Sequence, residues 1–139
     1  MTSILTPGTK QGHAPDWNSL VTESFKAHGL WPTYAKLIKA RDEFPEDLVL
    51  RGYIEIIRTS IVRDLLEHPK GLQAVPRLSA EFLTDFGRFN LTAQEGFLVS
   101  LIDGRLVFQQ LLRLSPFDTF TTLFHLAHLQ NQKAITIPS

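Results

Sequence analysis

His125 and His128 stand three residues apart in a helical stretch, a spacing that sets two imidazoles on one helix face and can offer two nitrogens to one transition-metal ion. Such a site needs a third and a fourth ligand. His13, His28 and His68 are scattered and Asp118 lies two turns back, so the sequence presents no completing carboxylate or imidazole. The simpler reading is a pair of helix-end histidines whose protonated form suits the negative end of the dipole. The assignment is therefore no metal, with His125 and His128 as the weak candidates. Nucleophilic chemistry has less to build on. The chain has no cysteine, and Ser60, Ser79, Ser100 and Ser115 lack the glycine-flanked elbow that exposes a catalytic hydroxyl. Glu43, Glu46 and Asp47 cluster about Pro45 as acid–base carboxylates would, but a helix start draws the same charges. Each glycine stands alone, so no phosphate-cradling loop is formed. The expectation is no enzyme and no cofactor.

The frame that carries these residues is set by composition. A chain of 139 residues, 43% hydrophobic and 20% charged, is expected to form one domain, and without cysteine it must be held by packing and backbone hydrogen bonds alone. Fourteen basic residues against fourteen acidic ones leave no net charge, hence no global field to draw the protein to nucleic acid or anionic lipid. Residues 1–15 contain no apolar signal-peptide core and no run approaches a membrane span, so the expected address is cytoplasmic.

Periodicity then predicts an all-α fold of six or seven helices. Residues 1–15 read as a flexible lead-in, and 16–139 as a single helical domain with a helical N-terminal part, 16–87, and a C-terminal part, 88–139. Asp16 opens a first helix that Gly29 closes, and Pro32 sits in the first turn of a second. Leu50, Ile54, Ile57, Ile61 and Leu65 mark the buried face of a long helix over 46–67. Arg51/Glu55 and Arg63/Glu67 are spaced to pair on its outer side. After a breaker at 68–71, Pro76 is expected near the start of a short helix carrying Phe82 and Phe86 and ended by Gly87. Thr92-Ala93-Gln94-Glu95 is a capping box, Asp103-Gly104 a turn, and Ser115-Pro116 the cap and first residue of the last helix. Ala134–Pro138 suggests one terminal strand. No repeat is found.

Three short helices followed by a strand is the order of a helix-turn-helix unit with a stub of a wing. The wording Leu91-Thr92-Ala93-Gln94-Glu95-Gly96-Phe97-Leu98-Val99-Ser100-Leu101-Ile102-Asp103-Gly104-Arg105, followed by Leu111-Leu112-Arg113-Leu114-Ser115, goes further. It resembles the C-terminal winged-helix-like part of the PatA N-terminal (PATAN) domain family of bacterial signalling proteins over about residues 90–138. Two departures stand beside it: the family's opening strands are not visible in 1–87, and Gln109-Gln110 replaces the acidic position before the paired leucines. The resemblance implies a regulatory or interaction module of the kind used in motility and polarity signalling.

Charge separates this from a DNA reader. Residues 88–139 carry Arg88, Arg105, Arg113 and Lys133 against Glu95, Asp103 and Asp118, and the stretch from Phe117 to Gln130 has no lysine or arginine at all. Phosphate neutralisation and arginine–guanine contacts supply most DNA affinity and specificity. The expected function is thus a non-catalytic bacterial regulatory or adaptor protein that binds another protein or a second copy of itself. Nucleic acid and membrane are not expected partners, and the alternative is a winged-helix transcription regulator. Eight of the ten phenylalanines fall in 82–124. Of these, Phe108 lies off the Leu106/Val107/Leu111 side and Phe117 flanks the last helix. They either form an exposed patch or pack against the N-terminal helices. Arg105, Phe108, Arg113 and Phe117 are the candidate partner-binding residues.

Overall fold

The computed structural model describes residues 14–138, and most of the expected lead-in (residues 1–13) lies outside them. Asp16 holds an extended conformation and its carboxylate accepts from the Ser19 N–H at 3.3 Å and the Ser19 hydroxyl at 2.8 Å, which starts α1, Trp17–His28. Gly29 ends it with φ of 85°, donating its N–H to the Phe25 carbonyl, and the same residue precedes α2, Leu30–Glu43. Pro32 is the third residue of α2, where a helix needs no N–H. The α1–α2 corner is pinned by the buried Thr33 hydroxyl, 2.7 Å from the Gly29 carbonyl and 2.8 Å from the buried Ser24 hydroxyl.

Asp47 then works in two directions. One carboxylate oxygen accepts from the Leu50 N–H at 3.0 Å at the head of α3, Leu48–Leu66, and the other accepts from the Trp17 indole N–H at 2.8 Å. The buried Trp17 ring also stands edge-on to Phe44 at 5.7 Å. The apolar face of α3 is buried as its spacing requires, but neither expected i,i+4 pair forms. Glu55 turns to Arg58 at 3.0 Å, and Arg51 folds back on the Pro45 carbonyl at 2.6 Å. Among the described residues packing defines two units, one ending at Ser60 and the other beginning at Ile61.

The second unit contains the end of α3, a 3₁₀ turn at Gly71–Gln73, and β1, Arg77–Leu78. Pro76 precedes β1 and does not start a helix. Ser79 is the cap, accepting from the Phe82 N–H at 3.0 Å, of α4, Ala80–Thr84, and Gly87 lies inside a following 3₁₀ turn, Phe86–Arg88. The Thr92–Glu95 capping box forms as the sequence predicts, with bonds of 3.1 and 3.2 Å, and opens α5, Ala93–Leu101. Asp103 accepts from the Arg105 and Leu106 N–H groups at 2.8 and 3.1 Å while Gly104 takes φ of 80°. α6 covers Phe108–Leu114 and α7 Thr119–Asn131.

Ser115 does not cap α7: its hydroxyl accepts from the Phe117 N–H at 3.1 Å, and Asp118 caps instead, taking the Thr121 N–H at 3.0 Å. β2, Ile135–Thr136, pairs antiparallel with β1, Leu78 facing Ile135. The seven described helices and one two-stranded ladder make the fold all-α. The core of this unit is built from Leu98, Phe108, Leu111, Leu126, Leu129 and Ile135, each no more than 1% exposed. No described helix is long and apolar enough to cross a membrane.

α7 ends on Lys133, whose φ of 69° is the left-handed conformation that a side chain resists, with the Ala134 N–H returned to the Leu129 carbonyl at 2.9 Å. Lys133→Gly is expected to raise stability by about 1 kcal/mol, read as a higher urea midpoint with an unchanged slope.

Candidate functional site

The strongest polar constellation grows from the capping box. Glu95 is the third residue of α5, so its Oε1 reaches back to the Thr92 N–H at 3.2 Å and leaves Oε2 for another purpose. α7 packs on α5 and brings His125 and His128 over that oxygen, with Nδ1 atoms at 2.9 and 2.6 Å. An ionised carboxylate only accepts, so both rings carry their hydrogen on Nδ1 and donate it. Gln132, one turn on, lays its side-chain amide against the same ring. The Glu95 side chain is 1% exposed, against 15% for His125 and 33% for His128, so the cluster runs from the core to the surface.

Burial by itself pushes the Glu95 carboxyl up. The hydrogen bonds from His125 and His128, then the Thr92 N–H, outweigh it and hold the carboxyl at about 2, against 4.5 for a free glutamate. What this arrangement does chemically is orient. A buried carboxylate that fixes an imidazole tautomer is the positioning half of a proton-transfer site, and it equally ties two helices together. Among the described residues no group of three or more histidine or acidic side chains is arranged to hold a metal ion. The sequence reading left the two histidines without a carboxylate. That is corrected by Glu95, thirty residues before His125. The missed signal was that a capping box occupies only one of its glutamate's two oxygens.

The four candidate partner-binding residues separate. Arg105, in the turn after Gly104, and Arg113, on α6, are exposed. Phe108 is fully buried, at 0% exposure, which removes it from any surface. The reason is where α6 begins: Leu106 and Val107 precede the helix, so Phe108 and Leu111 share its inner face at i,i+3. Phe117 is half-buried and meets Phe97 of α5 edge-to-face at 6.2 Å. Phe97 is 44% exposed and was not singled out by the sequence. The two rings form an aromatic edge between α5 and the turn that leads into α7. A second aromatic group joins Phe82 to Phe86 and Phe89 at 6.4 and 5.3 Å, with the Arg88 guanidinium over Phe89 at 5.1 Å. No protein-family model, curated protein or solved structure matches the chain.

The lowered Glu95 pKa fixes a pH dependence. The folded carboxyl sits below its unfolded value, so the stability it contributes is fully present above pH 4.5 and is lost as pH falls toward 2. A fall from 4.5 to about 2 corresponds to roughly 3 kcal/mol. Glu95→Gln is expected to remove that slope in urea titrations run between these pH values, and to lower stability near neutrality by about 2–3 kcal/mol.

Proposed function

We propose that the chain is a non-catalytic protein-binding module of the regulatory or adaptor type, acting in the bacterial cytoplasm. The observation that carries this reading is the Phe97–Phe117 aromatic edge, with Phe97 on α5 and Phe117 in the turn just ahead of α7, the two helices being tied together by Glu95. An exposed ring on a preorganised support loses little freedom when it is covered, and aromatic anchors dominate protein interfaces. The charge pattern supports a polypeptide over a polyanion as the occupant, because α7 bears no lysine or arginine. The likeness of residues 90–138 to the PatA N-terminal domain family supports a place in signalling, with motility or polarity control as the finer assignment.

Phe97→Asp tests the surface with little risk to the core, since nearly half of that side chain is already exposed. Affinity capture from the source cell is expected to retain a defined polypeptide, or a second copy of the chain, with the native protein and to lose it with Phe97→Asp at unchanged helical content. Equal capture by both rejects the surface. Binding of a mixed-sequence duplex that weakens steeply between low and moderate salt replaces the proposal with the transcription-regulator reading.

A further inference from the structure

The geometry points to a further contact in the unit that ends at Ser60: the groove between α2 and α3 is a receptor for carboxylate side chains on an acidic segment of a protein partner. Its walls are Arg41 from α2 and Arg51 and Glu55 from α3, over the buried Ile54, and it encloses about 340 Å³. That is the low end of the roughly 300–1,000 Å³ of ligand pockets, a size for one or two side chains and too small for a docked helix.

The electrostatics of the groove are unbalanced toward positive charge. Glu55, its one acidic wall, is already held by Arg58 at 3.0 Å. Arg51 spends one donor on the Pro45 carbonyl at 2.6 Å, which fixes the guanidinium while leaving its other N–H groups for an acceptor. Arg41 makes no ion pair or hydrogen bond with any described side chain, although its charge, with that of Arg58, is felt at the Tyr34 hydroxyl. Two guanidinium groups thus face one small groove whose single carboxylate is already paired with Arg58, in a protein of zero net charge. Helix electrostatics do not explain Arg51, because it lies in the first turn of α3, where a cation is disfavoured. A forked guanidinium pair matches carboxylates best. Continuous polyanions fit poorly: the exposed Asp42 and Glu43 follow Arg41 and the exposed Glu46 precedes Arg51, so a phosphate chain tracking past the groove meets like charge.

This inference rests on the protein-binding reading, and the test keeps the two apart. Fluorescence anisotropy of the full chain is measured with a labelled glycine-rich peptide bearing two glutamates, and with the same peptide carrying glutamine at those two positions. The glutamate peptide is expected to bind about tenfold more tightly, a preference that added salt erodes. Arg41→Gln and Arg51→Gln should each abolish most of it. Arg41→Gln breaks no bond of the folded chain, so its result stands whatever Arg51→Gln does to stability. Equal affinity for the two peptides, or an unchanged preference in Arg41→Gln, overturns the assignment. So does displacement of the peptide by inorganic phosphate or a DNA duplex as readily as by free glutamate peptide. Phe97→Asp should keep the peptide preference while losing the captured partner. Loss of the preference in Arg41→Gln with capture intact therefore concerns the groove alone, and capture lost with the preference intact concerns the aromatic edge alone.

Discussion

A carboxylate taken out of water must be answered by donors on every side, and in the unit beginning at Ile61 that requirement falls on Glu95. It is met from three places. The Thr92 N–H comes from the cap of its own helix, while the Nδ1 hydrogens of His125 and His128 come from α7. The position near the start of α5 adds the favourable end of the helix dipole. Two imidazoles at i,i+3 can meet a single oxygen only if α7 lies alongside the first turn of α5, so satisfying the charge fixes how the two helices register. Once that is fixed, Phe97, two residues beyond Glu95, is set against Phe117 at the approach to α7.

The unit that ends at Ser60 uses the same device with a different donor. Asp47 gives one oxygen to the backbone at the head of α3 and the other to the buried Trp17 indole, thirty positions away. In both units a carboxylate whose local duty is capping employs its second oxygen across a large loop of chain. Asp103 and Asp118 mark the contrast. Their acceptors are spent within three residues, and those bonds hold both carboxyls below the ordinary carboxylate range without tying one element to another.

This division explains what could be read from the sequence. Local chemistry was legible: the Asp16 and Thr92 caps, the Gly29 stop, the Asp103-Gly104 turn, the long α3 and the terminal strand all follow from neighbouring residues. Where two local signals competed, the sequence misled. Ser115-Pro116 and Asp118 both satisfy the rules for a helix start, and the chain spends Ser115 on the Phe117 N–H and on contact with the Thr122 hydroxyl at 2.7 Å, delaying the helix to Asp118. α6 begins at Phe108, so Leu106 and Val107, read as part of its apolar side, lie ahead of the helix, and Phe108 falls with Leu111 on the inner face instead of off it. The Glu95–histidine cluster and the α2–α3 groove were out of reach altogether, since no spacing rule links residues on different helices.

The cluster also bears on the outer chemistry of α7. This helix has no lysine or arginine, so its histidines are the residues from which it could draw positive charge. Both are turned toward Glu95, their Nδ1 atoms at hydrogen-bond distance from its buried carboxylate. The helices packed against it also carry exposed apolar side chains: Phe97 on α5, and Leu114 at the end of α6, 54% exposed. On the protein-binding proposal, such a surface would recognise by shape and burial of carbon, with a strength that varies little with salt.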